Sequence, residues 1–263
     1  MRGTAVVIGL LAFLLAPLSS APAAAQAIKP AGPFANWSAV VVAGDFHAHS
    51  GGPTEAFDNA RGDVSKALVE LGFDKAAIQQ FSVRPERYPA DAPGRAEGSA
   101  IYEALKTKAE TAKAGCLFYI STHGSPEGVI LGPRVLRPPL LAALVNEACP
   151  NRPSVVVISA CFSGVFIPPL QDKNRLIITA ARPDRASFGC GEDDKYPFFD
   201  DCFLSAAPGA HDFAALGAAV QACVARREKE TGAEPASEPQ VWIGPALRPM
   251  LPLYAFNRKT KLD

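Results

Sequence analysis

The sequence predicts an α/β chain with three layers, α/β/α, around a mostly parallel central sheet. Three observations carry that expectation. Four short apolar runs, at 38–43, 116–122, 154–159 and 175–179, are mostly continuous rather than alternating, as in strands covered on both faces, and 78–83 is a further strand candidate. Between them lie segments with apolar residues at helical spacing, several of which stop at a glycine. Strands and helices therefore alternate along the chain, the pattern of a parallel sheet with helices on both sides.

Taken in order, the first 27 residues stand outside that fold. Arg2 supplies a basic start, Val6 to Leu18 is an apolar run, and the small residues from Ser19 to Ala27 satisfy the small-x-small rule of a cleavable leader. The run is shorter than the roughly 20 residues of a membrane anchor. We therefore expect a bacterial-type signal peptide over 1–27 and one domain over 28–263, without internal repeat or linker. The mature chain has no further hydrophobic span, and its expected location is the periplasm or the medium. Pro30 to Pro33 reads as an extended lead-in to the first strand, Ser38 to Ala43.

A helix follows over Thr54 to Leu71, with Phe57, Val64, Leu68 and Leu71 on one face and Gly72 as its stop. Ile78 to Val83 is a strand. Arg84 to Gly98, with three prolines, reads as surface loop, and Ser99 as the N-cap of a helix running to Ala114. Cys116 to Thr122 is the third strand. Val129–Leu131 and Val135–Leu136 suggest a small hairpin, and Pro138 to Ala148 a helix. Strands at Ser154–Ser159 and Arg175–Thr179, helices at Phe198–Ala206 and Asp212–Thr231, and a strand at Gln240–Ile243 complete the chain.

Composition excludes several classes of function. The 263 residues carry 26 basic and 26 acidic side chains, a balance that gives no electrostatic basis for binding nucleic acid. Hydrophobic residues make up 48%, which rules out a disordered chain. Nothing in the sequence calls for a cofactor, and it leaves the oligomeric state open.

Chemistry concentrates at two strand ends. His123-Gly124 follows the third strand and Ala160-Cys161 follows the fourth, and ligands of open α/β sheets gather at such carboxyl ends. If the two strands are neighbours, a thiol and an imidazole project into one crevice. A thiol needs such a base, because free cysteine is only slightly ionised at neutral pH. Gly124 leaves backbone N–H groups accessible, and Ser163-Gly164 permits a tight turn after the cysteine. The N–H groups of Gly124 and Cys161 are candidates for an oxyanion hole.

Phe118-Tyr119-Ile120-Ser121-Thr122-His123-Gly124 and Val156-Val157-Ile158-Ser159-Ala160-Cys161-Phe162-Ser163-Gly164 resemble the catalytic strands of the legumain-like cysteine peptidases, family C13. That family includes asparaginyl endopeptidases and the catalytic subunit of the GPI transamidase, and has the caspase-like fold. The resemblance continues through Thr179-Ala180-Ala181-Arg182, Ser187-Phe188-Gly189-Cys190 and Tyr196 to Asp201, and spans roughly residues 38–230. It implies a hydrolase or transpeptidase acting on peptide or protein substrates. Cys161 matches the nucleophile, His123 the catalytic histidine and Gly124 the oxyanion residue. The family's Asn-x-Arg-His stretch is laid on Asn59-Ala60-Arg61-Gly62, making Asn59 the residue that orients the histidine and Arg61 a pocket residue. Ser187 and Asp201 fall where further pocket residues are expected. With Arg61 they would favour a polar P1 side chain such as Asn or Asp. The chain departs from the family pattern at Ser159, Phe162 and Gly62.

Two other readings fit parts of the sequence. Asp45-Phe46-His47-Ala48-His49 has the D-x-H-x-H form with which some metal-dependent hydrolases begin a metal site. Only His123 and His211 remain to complete it, so His47 and His49 are expected as polar groups on the cleft rim and no metal is expected. A catalytically inactive binding protein with the same fold is the other alternative. Five further cysteines allow at most two bridges, in fifteen arrangements. We expect a pair near the Cys190–Cys202 loop, bracing the pocket wall.

Overall fold

Trp37–Ala43 is buried along its whole length, and this strand, β1, runs through the middle of the domain. In the computed structural model, which describes residues 32–256 together with Met1 and Gly3, the chain then forms helix α1 (Ala56–Glu70), β2 (Ile78–Ser82), β3 (Gly94–Arg95) and α2 (Gly98–Thr111). After β4 (Gly115–Ser121) come β5 (Gly124–Ser125), β6 (Gly128–Leu131), β7 (Arg134–Leu136) and α3 (Pro138–Ala148). Strand β8 (Ser154–Ser159) leads through a short α4 (Ile167–Leu170) to β9 (Arg175–Thr179), α5 (Phe198–Ala206), α6 (Phe213–Thr231) and β10 (Gln240–Ile243). Apart from Met1 and Gly3, the proposed leader over 1–27 lies outside the described residues.

The main sheet has the order β10-β9-β8-β4-β1-β2-β3. Every pairing in it is parallel except β10 with β9. Strands β5, β6 and β7 form a separate antiparallel sheet. The continuous apolar runs have the cause expected of them, because successive side chains feed opposite layers. Ala39 and Val41, Leu117 and Tyr119, Val155 and Val157, and Leu176 and Ile178 pack with α1, α5 and α6. Val40 and Val42, Phe118 and Ile120, and Val156 and Ile158 pack with α2, α3 and the small hairpin sheet. The fold is thus α/β with three layers and a mostly parallel sheet.

Three details differ from expectation. The stretch 84–98 contains the two-residue strand β3, which closes the β2 edge at Phe81 and Ser82. Helix α2 begins at Gly98 after Glu97, so Ser99 lies inside its first turn and is not its N-cap. The lead-in turns at Gly32–Ala35 and buries Phe34 among Trp37, Phe73, Phe213 and Phe256. An aromatic that heavy is drawn into the core by its own burial, of order 2–3 kcal/mol.

Candidate active site

Chain order reverses at β1, because β2 and β3 lie on one side of it and β4, β8 and β9 on the other. Crevices in such sheets open at the carboxyl ends beside that reversal. The carboxyl end of β1 carries Asp45 to His49, that of β4 carries His123, and that of β8 carries Cys161. Strands β4 and β8 are adjacent, parallel and paired from Cys116↔Ser154 to Ser121↔Ser159. His123 and Cys161 each follow two residues beyond that last pair, so the register sets them side by side at neighbouring strand ends.

His123 is held on two sides. The Phe57 ring of α1 meets its imidazole edge-on with centroids 5.0 Å apart. Its Nε2 lies 2.8 Å from the main-chain carbonyl oxygen of His47. A carbonyl only accepts, so Nε2 carries the proton in the neutral ring and Nδ1 keeps the basic lone pair. Cys161 is partly buried, and its Sγ accepts the Ser187 N–H at 3.2 Å and approaches Ser187 Oγ at 3.6 Å. Gly124 has no room for a side chain, since a Cβ there would overlap the Cys161 carbonyl oxygen. Its pair with Val129 is the non-hydrogen-bonded kind, flanked by the Ile130 N–H donating to the His123 carbonyl at 2.9 Å. Gly124 N–H is therefore turned away from β6.

After the cysteine the chain turns at Phe162, which is left-handed with φ 57° and donates its N–H to the Arg185 carbonyl at 2.7 Å. The turn expected of Ser163-Gly164 thus falls one residue earlier. Gly164 is small for another reason, because a Cβ there would come within 2.6 Å of Pro183.

Beneath the two strand ends is an acid that sequence reasoning missed. Asp200, in the first turn of α5, is fully buried and accepts hydroxyl donors from Ser159 at 2.6 Å, Ser121 at 2.9 Å and Tyr119. Burial pushes its carboxyl up to about 6, against the lowering effect of those hydroxyls. The signal for it was Tyr119, Ser121 and Ser159, hydroxyls placed on strands whose other side chains are mostly apolar and therefore in need of a buried partner. Cys190, on the same loop as Ser187, has its thiol pushed up to about 11 by burial, with charge at Cys161 and Asp194 adding to the effect. It remains free, as Cys161 does.

Several expected residues are placed elsewhere. Asn59 donates to the Lys195 carbonyl at 3.1 Å, and the contact foreseen between it and His123 is made by the His47 carbonyl. Arg61 is 1% exposed and gives its guanidinium to Asp58 at 3.0 Å, to Asp91 at 3.2 Å and to Gln80. It has no free face for a substrate and cross-links α1 to β2. Asp201, one residue past the buried acid, is turned about 100° around the helix and pairs with Arg227 of α6. Of the expected pocket residues, only Ser187 touches Cys161, so the mixed lining of Arg61, Ser187 and Asp201 is not assembled.

In the Asp45–His49 run, Asp45 Oδ1 lies 2.7 Å from His47 Nδ1, and the exposed His49 contributes its N–H to the Cys190 carbonyl at 3.2 Å. Among the described residues no three His, Cys, Asp or Glu side chains gather as metal ligands. The bridges are Cys116–Cys149, from the start of β4 to the end of α3, and Cys202–Cys223, from α5 to α6. The pair expected around the Cys190–Cys202 loop is corrected accordingly: Cys202 is bridged, but to the helix beside it. No helix among the described residues is long and apolar enough to cross a membrane.

Comparison with known proteins agrees with this architecture. The model of the Peptidase C13 family matches residues 95–230, about half of the chain, a span that includes His123, Gly124, Cys161, Ser187 and Asp200. No curated protein matches the chain. The crystal structure of caspase-1 from Spodoptera frugiperda is similar over 80% of this chain and 88% of that chain, with a TM-score of 0.57 and 17% identity. That likeness is one of fold, and the fold is caspase-like.

Proposed function

The chain belongs to the peptidase C13 family, and from that premise we propose that it is an exported, legumain-like cysteine peptidase in which Cys161 is the nucleophile and His123 the proton carrier. Family membership and the caspase-like fold support a cysteine peptidase-type function and protein substrates. The observation that carries the finer reading is the His47 carbonyl on His123 Nε2, which leaves Nδ1 as the base at the strand end beside the thiol.

In this scheme the thiol proton passes to Nδ1 as Sγ attacks the scissile carbonyl carbon. The negative charge that develops on the carbonyl oxygen is met by the N–H groups of Gly124 and Cys161, donors of a kind worth about 3–4 kcal/mol each in other enzymes. His123 then protonates the leaving amine, and water or an incoming amine resolves the acyl-enzyme, giving hydrolysis or transpeptidation. Export with cleavage of 1–27, leaving 28–263 in the periplasm or medium, is supported by the two disulfides, which persist in oxidising compartments.

Cys161→Ala and His123→Ala each test the pairing. Both are expected to fold as the parent does and to lose about 10³-fold or more in kcat on a peptide substrate, since members of such a unit fail together. Retention of turnover by either variant would refute the scheme.

A further inference from the structure

The D-x-H segment at the end of β1 forms a rim loop with a dense set of internal contacts. Asp45, with its side chain 12% exposed, uses a single carboxylate oxygen for three donors. Oδ1 accepts the Phe46 N–H at 2.7 Å and the His47 N–H at 3.2 Å, and lies 2.7 Å from His47 Nδ1. One oxygen therefore fixes both the peptide plane before His47 and the side chain that follows it. The loop is then closed on itself, with Ala48 N–H on the Gly52 carbonyl at 2.6 Å and Thr54 N–H on the Phe46 carbonyl at 2.8 Å. It is tied to the opposite wall by His49 N–H on the Cys190 carbonyl. What this arrangement presents outward is the His47 carbonyl, 2.8 Å from His123 Nε2.

We propose that Asp45 is a positioning residue for the catalytic histidine, acting through the main-chain carbonyl of His47. The proposal rests on the assignment of His123 and Cys161 as the reacting pair. The His47 carbonyl shares its peptide unit with the Ala48 N–H, which the Gly52 carbonyl holds, while Asp45 fixes the peptide unit before it and the His47 ring. Without Asp45 that residue is held from one side only, and the contact that selects the imidazole's tautomer is loosened. With the carbonyl fixed, Nε2 keeps its proton, Nδ1 stays the acceptor of the thiol proton, and the N–H···O=C bond becomes charge-assisted once the imidazolium forms. The carboxylate touches neither substrate nor the reacting atoms. Its effect is on the orientation of the ring, to which rates of this kind are sensitive, with misplacements near 1 Å costing about 10²-fold.

The test compares Asp45→Ala, Asp45→Ser and Asp45→Asn in the full chain. Three quantities are read: kcat and KM on a peptide substrate, the rate at which a peptidyl chloromethyl ketone alkylates Cys161, and the ¹⁵N resonances of the histidine rings. Asp45→Ala is expected to lose about 10–100-fold in kcat and in alkylation rate with KM within about 3-fold. Its His123 ring is expected to pass from the Nε2–H tautomer to a mixture. Asparagine keeps an acceptor oxygen at the same place and is expected to restore most of the rate, with serine in between. If the alanine variant does not fold, the serine–asparagine contrast reads the same question. Parent-like kcat and an unchanged His123 tautomer in folded Asp45→Ala or Asp45→Ser would overturn the proposal. Should Cys161→Ala retain turnover, the underlying pair itself fails, a result distinct from an active pair that is indifferent to Asp45.

Discussion

Asp200 shows how one side chain ties stability to pH. Its carboxyl is raised to about 6 from an ordinary value of 3.8, chiefly by complete burial. A raised carboxyl means that the folded state holds its proton more tightly than the unfolded chain does. The associated stability is fully present below pH 3.8 and is lost as pH rises through about 6. The difference corresponds to an order of 3 kcal/mol. Between pH 4.5 and 8 the parent is therefore expected to lose several degrees more in melting temperature than Asp200→Asn, which has no proton to release at that site. Scanning calorimetry of both proteins across that range is the check. Equal pH dependence in the two would mean that the carboxyl is not the titrating group.

At the scale of elements, the Cys202–Cys223 bridge ties α5, which carries Asp200, to α6, and closes a loop of 21 residues. Constraint of the unfolded chain by such a loop is worth about 3 kcal/mol. Cys202→Ala with Cys223→Ala is expected to lower the melting temperature by about 6–12 °C while leaving Cys161 alkylation close to the parent rate. A large loss of alkylation without loss of stability would instead give the bridge a role in the site.

The elements also explain what the sequence made legible. Strands buried on both faces cannot hide their apolar runs, and β4 beside β8 in parallel is the arrangement that brings His123 and Cys161 together. Side-chain direction on helices was less legible. Asn59 and Arg61 match a motif in composition, yet both lie on α1, where helical phase sends Arg61 into a buried cross-link with Asp58. Asp200 and Asp201 are adjacent and chemically identical, and only the phase of α5 decides which faces Ser121 and Ser159 and which faces Arg227. The two-residue β3 carries too few side chains for any pattern to show. The role of the His47 carbonyl was invisible for a simpler reason: a main-chain group leaves no mark on residue identity.

At the scale of the whole molecule, the sheet gathers three strand ends around one crevice, and each contributes to it. From β1 comes the carbonyl that holds the imidazole, from β4 the imidazole and Gly124, and from β8 the thiol. Cys161 and Cys190 are the free cysteines of that region, and burial pushes the Cys190 thiol up to about 11, which disfavours its thiolate at neutral pH. The central claim is that Cys161 reacts because His123 takes its proton. Mass spectrometry of the protein after treatment with an acylating or alkylating peptide inhibitor tests it most directly. The account predicts a single covalent adduct on Cys161 that His123→Ala abolishes, and an adduct on another residue, or one that forms at the parent rate without His123, would contradict it.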